Sequence, residues 1–186
     1  WKADVEPSIL EEEIEFTGPH GLSIVHFQPM ERLHIGTIYS VEDLIRIMLK
    51  QSDNDATAIL AQIAGTETNE VYRNLGLEPL HDAQTYTINV HTFASFFRIL
   101  YNATYLGRSL SEHVLEIMSE SSFTHGIVAG VPADVRVSHK FGEKELSSGK
   151  YQLHDCGIVY AGENPYTLCI MTQGENLDDL ATFIRE

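Results

Sequence analysis

The chain has 186 residues, 43% of them apolar, 9% aromatic and 21% charged, which suits one domain with a sizeable core and excludes intrinsic disorder. Twelve Lys and Arg against 27 Asp and Glu leave a net charge of -15. That field repels a nucleic-acid backbone, and no local basic patch offsets it; the longest apolar runs are broken by Lys, Asp or Gly and are too short to span a bilayer.

Residues 1–10 (WKADVEPSIL) read as the end of a helix running into a turn, since Pro7 disfavours helix at Glu6. The chain opens at Trp1 without a basic or apolar leader, so the start reads as a cut within a helix. Glu11, Glu12 and Glu13 form a solvated face, and 22–27 (LSIVHF) alternates as a short strand. Ser40 caps a helix whose first turn holds Glu42 and Asp43, with Val41, Leu44, Ile45 and Met48 at helical spacing up to Gln51. A second helix follows Ser52-Asp53-Asn54, burying Ala56, Ile59, Leu60 and Ile63 before Gly65. Thr68 or Asn69 opens a third that stops at Gly76, 91–105 is an apolar core helix, and 111–119 is a further short one.

Beyond Gly126 the pattern changes to strands. Val135 and Val137 begin one that runs to Gly142, YQLHDCGIVY and YTLCIMT form a hairpin across Ala161–Pro165, and 177–185 is a closing amphipathic helix. Helices, then a three-strand antiparallel meander, then a helix specify an α+β fold, a helical cluster packed on an antiparallel sheet, as a single domain over 1–186. Cys156 and Cys169 lack any zinc-like spacing and read as two small core residues; a cross-strand disulfide is the alternative left open. None of the nine histidines forms a metal-spaced cluster. His139 precedes Lys140, so strand alternation turns it to the opposite face of the sheet.

Two tripeptides carry chemistry. Ser52-Asp53-Asn54 lies in the turn between two helices, and taken alone it is an ordinary helix cap. Lys140-Phe141-Gly142 lies on a strand, where Gly lets a ligand backbone approach closely. In this order and context the pair resembles the second and third signatures of the serine β-lactamases and penicillin-binding proteins. The likeness to the class A β-lactamase-related serine hydrolases extends over nearly the whole chain: YSVEDLIRIMLKQSDNDATAILAQIAG is similar to the helix, signature and following helix, and VRVSHKFGE, LHDCGIVY and PYTLCIMT to the last strands.

The resemblance implies a serine β-lactamase/transpeptidase-like fold and acyl-enzyme chemistry on β-lactams or peptidoglycan-type peptides, outside the cytoplasm and without metal or organic cofactor. By the same resemblance Ser52 relays a proton to the leaving nitrogen. Asn54 bonds a catalytic lysine and the substrate amide, Lys140 holds the substrate carboxylate, and the Glu143 backbone N–H, at the position after Gly142, contributes to an oxyanion hole. Asp53 is a buried structural acceptor.

Three departures stand against this. Phe141 occupies the place of a hydroxyl residue that would contact the substrate carboxylate. The stretch between Gly76 and His91 is shorter than the loop that carries the class A deacylation base and offers Glu78 as its one glutamate, so turnover is expected to be slow and peptidase-like. The nucleophile motif Ser-x-x-Lys occurs here as Ser147-Ser148-Gly149-Lys150, in a strand connection after Lys140 rather than on a helix before Ser52. The functional motif is therefore expected upstream of Trp1, leaving this chain inactive alone. Two rival readings remain: a non-catalytic binding or scaffold domain that keeps the fold, and a chain completed by another polypeptide or segment that covers its bare sheet edge.

Overall fold

A computed structural model of the chain describes residues 7–19, 26–77 and 87–186. The helix run-out before Pro7, most of the 22–27 strand and Glu78 lie outside the described residues. The order is α1 (Pro7–Leu10), β1 (Glu13–Glu15), β2 (Ile38–Ser40), α2 (Val41–Gln51), α3 (Asn54–Ala64), α4 (Glu67–Asn74), α5 (Val90–Asn102), α6 (Arg108–Ser119), β3 (Val137–Glu145), β4 (Tyr151–Val159), β5 (Tyr166–Gly174) and α7 (Leu177–Arg185). A 3-10 turn at Ile127–Gly130 precedes β3.

Side-chain caps explain most helix starts. Ser40 accepts from the Asp43 backbone N–H at 3.1 Å while Asp43 accepts from the Ser40 N–H, a reciprocal box that satisfies two N-terminal donors of the junction. Asp53, Asn89 and Asn176 cap α3, α5 and α7 by accepting from first-turn backbone N–H groups, without the reciprocal bond. The sixth helix starts earlier than its apolar pattern suggests, because Gly107 begins it without a side-chain cap.

The described strands form an antiparallel β3-β4-β5 sheet and a separate β1-β2 pair. Their register decides everything that follows: Lys140 pairs with Cys156 and Cys156 with Cys169, while Phe141 pairs with Asp155 and Asp155 with Ile170. Period-two alternation then sends Val137, Phe141, Leu153 and Val159 to one face, against Leu177, Ala181 and Ile184 of α7. Cys156 and Ile158 go to the other, against Phe97 of α5 and Leu115 and Met118 of α6. A third cluster joins α2 and α3 through Leu44, Ile47, Ala56 and Ile59. Each such side chain contributes about 1.5–3 kcal/mol on burial, so the two tripeptides sit on well-anchored elements.

The cysteines take the alternative pairing rather than the free-core reading: the two sulfurs are joined across β4 and β5. Directly opposed positions on antiparallel strands bring their Cβ atoms close, and alternation cannot separate them. No helix among the described residues is long and apolar enough to cross a membrane.

Candidate functional site

Ser52 ends α2 in the left-handed conformation, φ 55° and ψ 36°. For a residue with a Cβ this costs on the order of 1 kcal/mol, so its neighbours must hold it there. Gln51 on one side is buried and accepts from the Met30 N–H at 3.1 Å. Asp53 on the other is 6% exposed and accepts from the Ala56 N–H at 2.8 Å. With both flanks pinned, Ser52 is held half-buried at the turn, and Asn54 stands exposed at the first position of α3.

The long side chain of Lys140 reaches this turn from β3. Its Nζ donates to Ser52 Oγ at 2.5 Å and to the Phe141 carbonyl at 2.8 Å, and lies 4.9 Å from the Phe141 ring centroid. Burial lowers the Lys140 ammonium from the ordinary 10.5 to about 8, against the opposing pull of the Asp155 charge. An ammonium has donors and no acceptor, so Ser52 Oγ must accept from it. The hydroxyl proton of Ser52 then points to a different acceptor.

Phe141, though adjacent, turns its ring into the core. It is 5% exposed and stacked on Phe123 with centroids 4.1 Å apart and planes 16° off parallel. At Gly142 an added Cβ would meet nothing within 4 Å, so the strand is open to a ligand on that side. Gly142, Glu143, His154, Met171 and Thr172 line a groove of about 670 Å³. The Glu143 carboxylate bends away and accepts from the backbone N–H groups of His26 at 2.7 Å and Phe27 at 3.3 Å. Burial raises its carboxyl pKa, and those two N–H donors oppose the rise. Ser52 and Lys140 are thus in direct contact, Gly142 and Glu143 follow along β3, and Phe141 contributes its carbonyl rather than its ring.

Two neighbours had no signal in the sequence. His139 and Asp155 are 1% and 0% exposed, with Nδ1 2.8 Å from a carboxylate oxygen. Phe27 stacks on His125 at 5.3 Å and meets Phe123 edge-on at 4.9 Å, an aromatic group beside the Lys140 strand. Both depend on strand register and loop return, which alternation does not disclose. Among the described residues no group of three or more His, Cys, Asp or Glu side chains could hold a metal ion.

A family model described as the Beta-lactamase enzyme family matches residues 10–186. No curated protein matches the sequence. Among solved structures, the chain is 20% identical to PBP-A with a TM-score of 0.72, covering 95% of this chain and 68% of that one. It is 20% identical to a class A β-lactamase from Mycobacterium abscessus, TM-score 0.78, covering 97% and 73%. Against a β-lactamase from Chitinophaga pinensis the identity is 18%, the TM-score 0.78 and the coverage 94% and 72%. A PBP-A mutant has been captured as an acyl-enzyme complex with penicillin G. At these identities the structures establish the shared α+β, β-lactamase/transpeptidase-like fold; with the match over residues 10–186, the chain belongs to the β-lactamase enzyme family.

Proposed function

We propose that the chain supplies the proton-relay and carboxylate-binding part of a serine hydrolase that acts through an acyl-enzyme on β-lactams or peptidoglycan-type peptides. The observation that supports it most is the 2.5 Å contact between Lys140 Nζ and Ser52 Oγ. Below about pH 8 the ammonium is charged; it anchors the substrate carboxylate and directs the Ser52 proton toward the departing nitrogen. Asn54 at the start of α3 orients the substrate amide. The Glu143 backbone N–H, next to the open face at Gly142, joins the oxyanion hole.

The nucleophile comes from a Ser-x-x-Lys helix outside these 186 residues. The one such spacing within them, Ser147 to Lys150, is an exposed turn with Gly149 at φ 75°, where hydroxyl and amine do not share a helix face. On this reading residues 1–186 are most of one domain, completed by a segment of the same or another polypeptide. No metal or organic cofactor takes part. The domain works outside the cytoplasm, a placement that the Cys156–Cys169 disulfide supports because such bonds persist where thiols are oxidised.

A second reading is a binding or scaffold domain without catalysis. It is favoured by Phe141, whose ring stacks on Phe123 where a hydroxyl would otherwise meet the substrate. Fluorescent penicillin and intact mass spectrometry on the polypeptide that includes the upstream helix separate the two. A covalent adduct is expected, formed about 100-fold more slowly in Ser52→Ala. A folded protein that gains no mass at any pH would establish the scaffold reading.

A further inference from the structure

Residues 26–30 lie outside any helix or strand and are half-buried or exposed, yet side chains from three different elements hold them. At one end the half-buried Glu143 carboxylate of β3 accepts from two successive backbone N–H groups, those of His26 at 2.7 Å and Phe27 at 3.3 Å. Consecutive N–H groups turned to one point form a concave nest for an anion, and bonds to an ionised acceptor are roughly twice as strong as neutral ones. The His26 ring also meets Asp178 of α7, Nε2 to carboxylate oxygen 3.1 Å, but both side chains are exposed and this tie is weak. At the other end the Met30 N–H donates to the buried Gln51 side chain at 3.1 Å.

These anchors bracket the site. Glu143 is three residues beyond Lys140 on β3, and Gln51 is the residue before Ser52, whose hydroxyl accepts from the Lys140 ammonium. Met30 follows His26 by four positions, and four residues reach at most about 14 Å. The segment is therefore a strap drawn from the sheet to the end of α2, close beside the Lys140–Ser52 contact. Under it lies a cavity of about 220 Å³, lined by Phe27 and Gln28 of the strap and by Ser122, Phe123, His125 and Phe141. A whole small-molecule ligand occupies about 300–1,000 Å³, so this space fits one branch of a substrate. Phe123 and Phe141 are 2% and 5% exposed and fixed in the core, which leaves the strap as the wall that can move.

We propose that Glu143 is a positioning residue: its carboxylate latches the 26–30 strap against β3 and so sets the width of a subsite beside Lys140. The aromatic lining suits a compact apolar branch of a β-lactam or peptide and excludes a bulky one. The substrate in this inference rests on the proposed hydrolase reading, whereas the latch is read without acyl chemistry.

Amide hydrogen exchange followed by NMR in the full chain compares wild type with Glu143→Ala. The His26 and Phe27 amides should exchange at least about 10-fold faster in the variant, with the Met30 amide and those of β4 unchanged. Equal rates at 26 and 27 overturn the proposal, and so does a rise that extends through β4, because Glu143 would then serve the whole sheet rather than the strap. Should Glu143→Ala not fold, Glu143→Gln keeps the length and one neutral acceptor, and a rise of about 3-fold confined to the same two amides is required. Width is read on the polypeptide that includes the upstream helix, by mass labelling with penicillin G and with a fluorescent penicillin whose acyl chain carries the dye. The rate with the dye relative to penicillin G should increase about 10-fold in Glu143→Ala; an unchanged ratio ends the subsite claim. If neither penicillin labels either protein while the 26–27 amides respond, the hydrolase reading fails and the latch stands.

Discussion

At the scale of single residues the site is an exchange of stability for chemistry. Lys140 is lowered to about 8 because burial penalises its charge. The unfolded chain, with an ordinary lysine near 10.5, holds its proton across the interval where the folded protein has released it. Stability attributable to Lys140 therefore rises with pH between about 8 and 10.5, whereas the carboxylate binding proposed for the same ammonium would be lost over that interval. Chemical denaturation across this range should show the rise in wild type and not in Lys140→Met, and the variant should be no less stable at pH 7. Phe141 poses the opposite exchange. Phe141→Thr restores a hydroxyl beside Lys140 but removes the ring stacked on Phe123. A loss of roughly 3 kcal/mol is expected in urea titrations, together with faster penicillin labelling if the hydroxyl reaches the carboxylate.

At the scale of elements, the site exists because two caps and one register coincide. Asp53 is at once the N-cap of α3 and the residue after Ser52, so helix initiation and hydroxyl placement are one event. Asp53→Ala should cost about 1–2 kcal/mol and also weaken the Ser52–Lys140 contact, visible as a displaced Lys140 nitrogen resonance; a stability loss with that resonance unmoved would show that Gln51 alone holds the turn. On the sheet, the Cys156–Cys169 bond lies in the same cross-strand row as Lys140. It closes a loop of 13 residues in sequence separation. By the chain-entropy account, replacing both cysteines with Ala should cost about 3 kcal/mol; an unchanged urea midpoint would mean that β4 and β5 are held by their ladder and by the helices packed on both faces of the sheet.

At the scale of the whole molecule, the net charge of -15 opposes compaction and is offset, among the described residues, by three apolar clusters, one on each face of the sheet and one between α2 and α3. Raising NaCl from about 0.01 to 0.15 M shortens the screening length from about 30 to 8 Å, so the melting temperature should rise with salt. A fall would show that attractive surface pairs such as Lys50–Glu120 outweigh the repulsion.

Much of this was legible in the amino-acid order. Helical periodicity and capping residues set out α2, α3 and α7, and alternation set out the β3-β4-β5 meander, because each of these is decided by neighbours a few residues apart; the two tripeptides were legible as a turn and a strand segment, and the fold brings their Ser52 and Lys140 into contact. What only the folded chain decided depends on partners distant in sequence. That Cys156 meets Cys169, that Phe141 spends its ring on Phe123, and that Asp155 lies buried against His139 follow from strand register and from the return of 121–127 onto the sheet. A shift of one residue in that register would turn each of these side chains to the other face, and no local pattern sets it.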